Sequence, residues 1–180
     1  MKHTTYKLFW AWEFEKEEKW LNEMSAKGFQ LVAVGPFRYV FDDTIKGQYE
    51  YKLELLDNLP SSYKSVEYIR FLEETGVEHV GSMLRWAYFR KKASEGKFEL
   101  YSDIDSKIKY YKRFIFLFLG ISPLMIVNVI NNFVAYTNHK LSINLIAGLL
   151  SVIMATLIGK GIFTIYQKIQ QLKKDKYIRE

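Results

Sequence analysis

The hydrophobic pattern divides the chain into two halves, and the second half is built from two uncharged segments. No Asp, Glu, Lys or Arg occurs from Phe114 to Tyr136 or from Leu141 to Gly159. A helix of about 20 apolar residues spans the hydrocarbon core of a bilayer. We therefore predict a transmembrane hairpin, whose parts are a span over 114–136, an external loop over 137–142 and a span over 143–166.

The first half has the mixed periodicity of an α+β domain, which we assign to residues 1–105. Aromatic and β-branched residues predict strands over 6–12, 29–34, 37–41 and 48–55. Between the first two strands, residues 13–27 predict a helix that ends at Gly28. We expect Trp20 and Leu21 to belong to the core and the glutamates of this helix to form a solvated face. The glutamates in its first turns also interact favourably with the positive end of the helix dipole.

The same order of elements then recurs along the chain. It consists of a helix that Ser62 or Ser65 caps and that ends at Gly76, followed by strands over 77–83 and 84–91. Aligning Gly28 with Gly76 superposes residues 20–24 on 68–72, and a slip of one residue superposes 38–41 on 85–88. We therefore predict a duplicated strand–helix–strand–strand unit. Two such units make a ferredoxin-like antiparallel sheet with two helices on one face.

Charge is distributed unevenly between the halves. Residues 1–106 carry a net charge of −3 and residues 107–180 a net charge of +9. The basic residues flank the spans, in a juxtamembrane helix over 106–113 and in a tail over 167–180. The capping-box sequence of residues 102–105 marks the start of the juxtamembrane helix. Because short flanks rich in Lys and Arg stay in the cytoplasm, we expect a multi-pass protein of the cell membrane with both termini cytoplasmic.

Small and polar residues inside the spans predict how the two helices pack. Ala147, Ser151, Ala155 and Gly159 recur every four residues, so they line one face of the second span and allow close approach of another backbone. Asn128 and Asn131 of the first span, with the neighbouring Asn132, can hydrogen-bond across this contact. Dimerisation of the chain and a polar pathway are the alternatives that this pattern leaves open.

The search for chemistry gives no catalytic site. The chain has no cysteine, which excludes disulfides, thiolate metal sites and cysteine nucleophiles. His3, His79 and His139 fall in separate segments, and no phosphate-binding loop or zinc-protease motif occurs. We therefore expect no catalytic residue, no metal ligand and no cofactor, and the acidic first half argues against nucleic acid as a partner.

Aromatic and basic residues of the predicted strands form the candidate partner surface. Alternate side chains of a strand face opposite ways, so we expect some of these residues to lie on an open sheet face. Such a composition is typical of a surface that binds a protein or a small ligand. The alternative is that they fill the core or rest against lipid headgroups. The candidates are Trp10, Trp12, Arg38, Tyr39, Arg85, Trp86 and Tyr88.

Several long blocks carry a family resemblance. "KLFWAWEFEKEEKWLNEMSAKGFQL", "FRYVF", "YKLELL", "EYIRFLEETGVEHVGSMLRWAYFRKK" and "FELYSDID" together resemble the bacterial membrane proteins grouped as domain of unknown function 2812, over residues 5–106. The resemblance implies no known activity, cofactor or catalytic residue. Members of this family are often encoded beside a PadR-like transcriptional repressor, which implies a role in regulation or in envelope stress.

These observations favour a membrane-anchored cytoplasmic binding or regulatory module without catalytic activity. One alternative is an accessory subunit of a membrane transporter or resistance complex, docked through the small residues of the second span. Another is an enzyme that acts on a lipid or other interfacial substrate. Homo-oligomerisation is also left open.

Overall fold

A computed structural model describes residues 1–101 and 103–179, with the side chains of residues 178 and 179 excepted. The chain forms two compact units, Met1–Ser102 and Asp103–Glu180. The strands of the first unit are β1 (His3–Tyr6), β2 (Phe29–Gly35), β3 (Arg38–Asp43), β4 (Tyr49–Leu55), β5 (Glu78–Met83) and β6 (Trp86–Lys92). Its helices are α1 (Phe14–Ala26) and α2 (Tyr63–Glu74), and the second unit holds α3 (Ile104–His139) and α4 (Ser142–Arg179).

The first unit contains two three-stranded antiparallel sheets, in the orders β1–β3–β2 and β4–β6–β5. This confirms the predicted α+β class, with two small sheets where the sequence predicted one. The outer strands β2 and β5 are neighbours, and each carries a register shift, between Leu31 and Ala33 and between His79 and Gly81. Such bulges disrupt a ladder locally. In addition, the Arg90 guanidinium donates a hydrogen bond to the Leu31 carbonyl (3.2 Å), so a side chain uses this backbone acceptor.

The predicted strand over residues 6–12 is wrong beyond Tyr6. Residues Ala11–Glu13 instead form a 3-10 turn. The Glu13 backbone N–H donates to the Trp10 carbonyl (2.7 Å), and the Trp10 backbone N–H donates to the Glu13 carboxylate (3.2 Å). These local bonds stabilise the 3-10 turn that precedes α1 and outweigh the preference of tryptophan for strands.

Helix α1 lies against both sheets. Its Trp20 ring packs edge-on against Tyr39 of β3, with 4.8 Å between ring centroids. On another side, the Ser25 hydroxyl donates to the Tyr49 carbonyl (2.6 Å), and the Tyr51 backbone N–H donates to the Asn22 side chain (2.8 Å). α1 thereby covers the outer edge of β4, which would otherwise offer unpaired backbone groups.

Helix α2 packs on the second sheet and closes a separate apolar cluster. Ser62 caps the helix, because its hydroxyl accepts a hydrogen bond from the Ser65 backbone N–H (3.3 Å). The buried members of the cluster are Leu56, Ile69, Leu72, Val77, Ala87, Phe89 and Phe98.

The second unit is a hairpin of two long helices. α3 and α4 are each long and apolar enough to cross a membrane, and they extend beyond the predicted spans at both ends. Residues 140 and 141 join them, with Lys140 in the left-handed conformation. Asp103 caps α3 by accepting a hydrogen bond from the Ser106 backbone N–H (2.7 Å), whereas Ser102 of the predicted capping box lies outside the described residues.

The two helices of the hairpin pack partly through the predicted residues. The Ser151 hydroxyl donates to the side-chain oxygen of Asn128 (2.7 Å) and also contacts the Ala147 carbonyl (2.8 Å). Ala147 and Ala155 are half-buried, whereas Asn131 and Gly159 are exposed. Gly148, which the four-residue pattern missed, is buried, and a Cβ at this position would lie 3.3 Å from the Phe133 ring.

Candidate functional site

A carboxylate is buried where α1 meets both sheets of the first unit. Glu17 is only 7% exposed. The hydroxyls of Tyr39, on β3, and Tyr88, on β6, each donate a hydrogen bond of 2.7 Å to its Oε1 atom. We call Glu17, Tyr39 and Tyr88 the tyrosine–glutamate cluster. It connects one helix to the central strand of each sheet.

The helical repeat explains why Glu17 is buried. Glu17 follows Phe14 by three residues and precedes Leu21 by four, and residues at this spacing share one helix face. Phe14 and Leu21 are both buried. Glu17 therefore interrupts the apolar stripe of α1, and the expectation that the glutamates of this helix are all solvated is wrong. Glu18 is also largely enclosed, because it accepts hydrogen bonds from the Leu53 backbone N–H (2.9 Å) and the Lys52 ammonium (3.1 Å).

The environment of Glu17 disfavours its negative charge. Burial raises the pKa of Glu17, and the hydrogen bonds from Tyr39 and Tyr88 lower it by less, so the pKa lies above its ordinary value of 4.5. Burial and the neighbouring Glu17 raise the pKa of both tyrosines, which keeps the two phenols as proton donors. Across residues 1–101 and 103–177, no Lys, Arg or His side chain forms an ion pair with Glu17.

Aromatic rings continue from the cluster toward the surface. The Tyr39 ring contacts Trp20 (4.8 Å between centroids) and Phe9 (6.4 Å), and Phe9 contacts Trp20 (5.6 Å). We call these three rings the ring platform. The Lys7 ammonium lies 4.7 Å from the Trp20 centroid and 5.1 Å from the Phe9 centroid, within the distance of about 6 Å over which cations are attracted to aromatic faces. The chain thus places one of its own cations on the two rings that contact Tyr39.

The candidate surface residues do not share an open sheet face. Trp12, Tyr39 and Tyr88 are buried, with exposures of 9%, 3% and 1%. The two tyrosines are buried because their rings face the side of each sheet that α1 occupies, where their hydroxyls reach Glu17. Trp12 is instead enclosed in the turn that precedes α1, where its ring stacks on that of Trp10 (5.3 Å).

The remaining candidates lie at or near the surface, outside the cluster. Trp10 is 37% exposed, and Arg38 is exposed. Arg85 and Trp86 are half-buried: Arg85 donates to the Leu56 carbonyl (2.8 Å), and the Trp86 ring packs against Phe14 (5.6 Å). The structure therefore unites Tyr39 with Tyr88 and leaves the arginines apart. Sequence reasoning missed Glu17, although its position between Phe14 and Leu21 carried the signal.

A second buried carboxylate belongs to Glu54 of β4. The Tyr101 hydroxyl lies 2.5 Å and 2.6 Å from its two oxygens. The part of the chain that the structure describes contains no group of three or more His, Asp or Glu residues arranged to hold a metal ion.

Comparison with known proteins gives one family. The family described as "Protein of unknown function (DUF2812)" matches residues 13–122. No curated protein matches the chain, and no solved structure matches it.

Proposed function

We propose that this chain, which belongs to the DUF2812 family of proteins of unknown function, is a membrane-anchored module that binds a small organic cation at the tyrosine–glutamate cluster. The observation that carries the proposal is the buried carboxylate of Glu17, which two neutral phenols contact and no described cation pairs. The apolar helices α3 and α4 supply the membrane anchor.

The charge balance at Glu17 supports a cationic ligand. A carboxylate that leaves water loses several kcal/mol of solvation, and neutral hydrogen-bond donors recover only part of this. A ligand ammonium near the cluster restores the missing positive charge and favours the ionised form of Glu17. Uptake of the cation is therefore coupled to release of a proton from this carboxyl group.

The position of Lys7 on the ring platform supports the same ligand class. Its ammonium rests on the Phe9 and Trp20 rings, it is exposed, and it belongs to the segment between β1 and the turn at Ala11–Glu13, outside regular structure. A ligand cation can take its place on the ring platform, because the displaced lysine returns to water. In this proposal Lys7 is a weak internal competitor of the ligand.

In this proposal the first unit of the chain consists of two copies of one strand–helix–strand–strand motif, and only the first copy provides a buried carboxylate, that of Glu17. Gly28 and Gly76 both have positive φ, of 93° and 86°, and the alignment that superposes them also superposes the bulges of β2 and β5. The same alignment puts Ser65 of α2 on Glu17 of α1. Tyr39 comes from the first copy and Tyr88 from the second, so the site requires both copies of the unit.

The module binds its ligand without turnover and works on the cytoplasmic side of the membrane. Nothing in the described cluster provides a nucleophile activated by a base, since both phenols are held protonated and the carboxylate accepts their hydrogen bonds. The basic residues that flank the uncharged segments favour cytoplasmic termini. A regulatory role follows if ligand binding changes the contacts of α1.

Calorimetric titration with benzyltrimethylammonium tests this function. The full chain is held in nanodiscs of zwitterionic lipid, and neopentylbenzene, which has the same shape without the charge, is titrated in parallel. Glu17→Gln keeps an acceptor for both tyrosines but removes the negative charge, so we expect the cation affinity to fall on the order of tenfold, or about 1.4 kcal/mol. Glu18→Gln, the same change at the next residue, is the matched control and should bind as the unsubstituted chain does.

The Lys7 competitor gives a second arm of the experiment. Lys7→Gln removes the internal cation, so it should raise the affinity for benzyltrimethylammonium while Lys2→Gln leaves it unchanged. Equal binding of the charged and uncharged probes, or equal losses in Glu17→Gln and Glu18→Gln, would show that the cluster is only a structural contact between α1 and the sheets.

A further inference from the structure

We propose a second binding site, for the headgroup of an anionic phospholipid, in a lysine-lined cavity between α3 and α4. The cavity has a volume of about 360 Å³ and lies wholly within the second unit. Its lining residues are Asp105, Ile108 and Lys112 from α3 and Lys173, Lys176 and Tyr177 from α4. The site shares no residue with the tyrosine–glutamate cluster and stands independently of it.

The charges around the cavity favour an anion. The Lys176 ammonium bridges the two carboxylate oxygens of Asp105, at 3.0 and 2.8 Å, so these two side chains largely neutralise each other and fix the distance between the helices. Lys112 and Lys173 line the same cavity from opposite helices and are both exposed. The cavity therefore presents two further ammonium groups, which suits a phosphate that bears one negative charge and several acceptor oxygens.

Position relative to the bilayer identifies the source of the phosphate. Lys112 precedes the uncharged segment that begins at Phe114 by two residues, which is about 3 Å along a helix. The headgroup layer extends roughly 5–8 Å beyond each side of the hydrocarbon core, so the ammonium of Lys112 lies at headgroup depth. Ile108 and Tyr177 line the same cavity four residues farther from the uncharged segments than Lys112 and Lys173. The two lysines therefore lie on the bilayer side of the cavity, where the phosphate of a lipid arrives while its acyl chains stay in the hydrocarbon core.

Retention of lipid through purification tests the site. The full chain is extracted from mixed vesicles of phosphatidylcholine and phosphatidylglycerol, and the bound phosphatidylglycerol is quantified by mass spectrometry after extensive washing in detergent. We expect the unsubstituted chain to retain phosphatidylglycerol in preference to phosphatidylcholine. Lys112→Gln/Lys173→Gln should reduce this retention at least fivefold.

The matched control is Lys109→Gln/Lys174→Gln, which removes the same charge from exposed positions of the same two helices outside the cavity. It should retain more than half of the phosphatidylglycerol.

Equal losses in the two double variants would overturn the site, since they would indicate general attraction between a basic surface and an anionic membrane. Displacement of the lipid by inorganic phosphate at a concentration equal to that of the lipid would also overturn it, because the site would then bind phosphate from any source. If the double variant fails to insert in vesicles, Lys173→Gln alone, at an exposed position near the end of α4, decides by the same criteria.

Discussion

Glu17 illustrates how one residue can serve both folding and binding. Its carboxylate receives hydrogen bonds from Tyr39 and Tyr88, which lie 22 and 71 positions away along the chain. The protonated form preserves both contacts and avoids a buried charge, so it favours the folded domain in the absence of a ligand. The ionised form is the one that attracts a cation.

This balance predicts an unusual pH dependence of stability. Because folding raises the pKa of Glu17, its contribution to the free energy of unfolding is fully present below its ordinary value of 4.5 and is lost as pH rises through the folded-state pKa. Glu17→Gln resembles the protonated form at every pH, so its stability relative to the unsubstituted chain should increase with pH, by about 1.4 kcal/mol for each unit by which the pKa is raised. Chemical denaturation of the two full-length chains in nanodiscs over a pH series measures this difference.

The control for that series is Glu23→Gln, on the exposed side of the same helix. Its stability should run parallel to that of the unsubstituted chain at all pH values. If the curve of Glu17→Gln is parallel as well, folding leaves the pKa of Glu17 at its ordinary value, and the coupling between cation uptake and proton release is lost.

The sequence contained part of this residue-scale information. The spacing of Phe14, Glu17 and Leu21 shows that the three side chains share a face, and two of them predict that the face is buried. The sequence could not show that a charge is tolerated there, because its partners come from distant strands. The sequence predicts Tyr39 and Tyr88 as candidate partner-surface residues, but the direction of their side chains depends on where α1 packs, which no local pattern specifies.

At the scale of elements, short-range signals predicted helices better than strand ends. Glycines with positive φ end the α1 and α2 regions at Gly28 and Gly76, as their positions in the sequence suggested. The strand predicted for the aromatic run after Tyr6 is wrong, since a capping contact between Trp10 and Glu13 competes with strand formation. The division into two sheets was also beyond prediction, because it depends on a contact between the bulged strands β2 and β5.

The edge of β4 provides an element-scale prediction. Asn22 accepts a hydrogen bond from the Tyr51 backbone N–H (2.8 Å) and donates one to the Tyr51 carbonyl (3.2 Å). Asn22→Ala leaves both backbone groups without this partner, so we expect a loss of about 2 kcal/mol in the free energy of unfolding. Hydrogen–deuterium exchange of residues 49–53 should accelerate at the same time.

Glu23→Ala, at the adjacent exposed position of α1, is the reference for this substitution. It changes the helix by a similar truncation but touches no strand, and it should alter stability by less than about 0.5 kcal/mol. Unchanged exchange at residues 49–53 in Asn22→Ala would show that water replaces the asparagine and that α1 does not protect this edge.

At the scale of the whole molecule, the two units differ in how much of their structure the sequence predicts. The hairpin follows from length and hydropathy alone, because every backbone group inside a bilayer must be bonded within its own helix. Its detailed packing does not, since the four-residue spacing of small residues indicated Gly159, which is exposed, whereas Gly148 is buried against Phe133. The first unit requires long-range pairing, so its class was predictable from periodicity but its polar interior was not.

The distribution of charge between the units gives the last prediction, which concerns orientation. The chain contains no cysteine, so single cysteines can report which side of the membrane each unit faces. Asn138 lies at the exposed end of α3 next to the connection between the helices, and Glu73 lies on the exposed side of α2. Since the basic flanks favour cytoplasmic termini, a membrane-impermeant maleimide should label Asn138→Cys in intact cells and Glu73→Cys only after lysis. Both variants should react equally in detergent, where no membrane protects them. Labelling of Glu73→Cys in intact cells would put the tyrosine–glutamate cluster outside the cell, and the cation that it binds would then be an extracellular one.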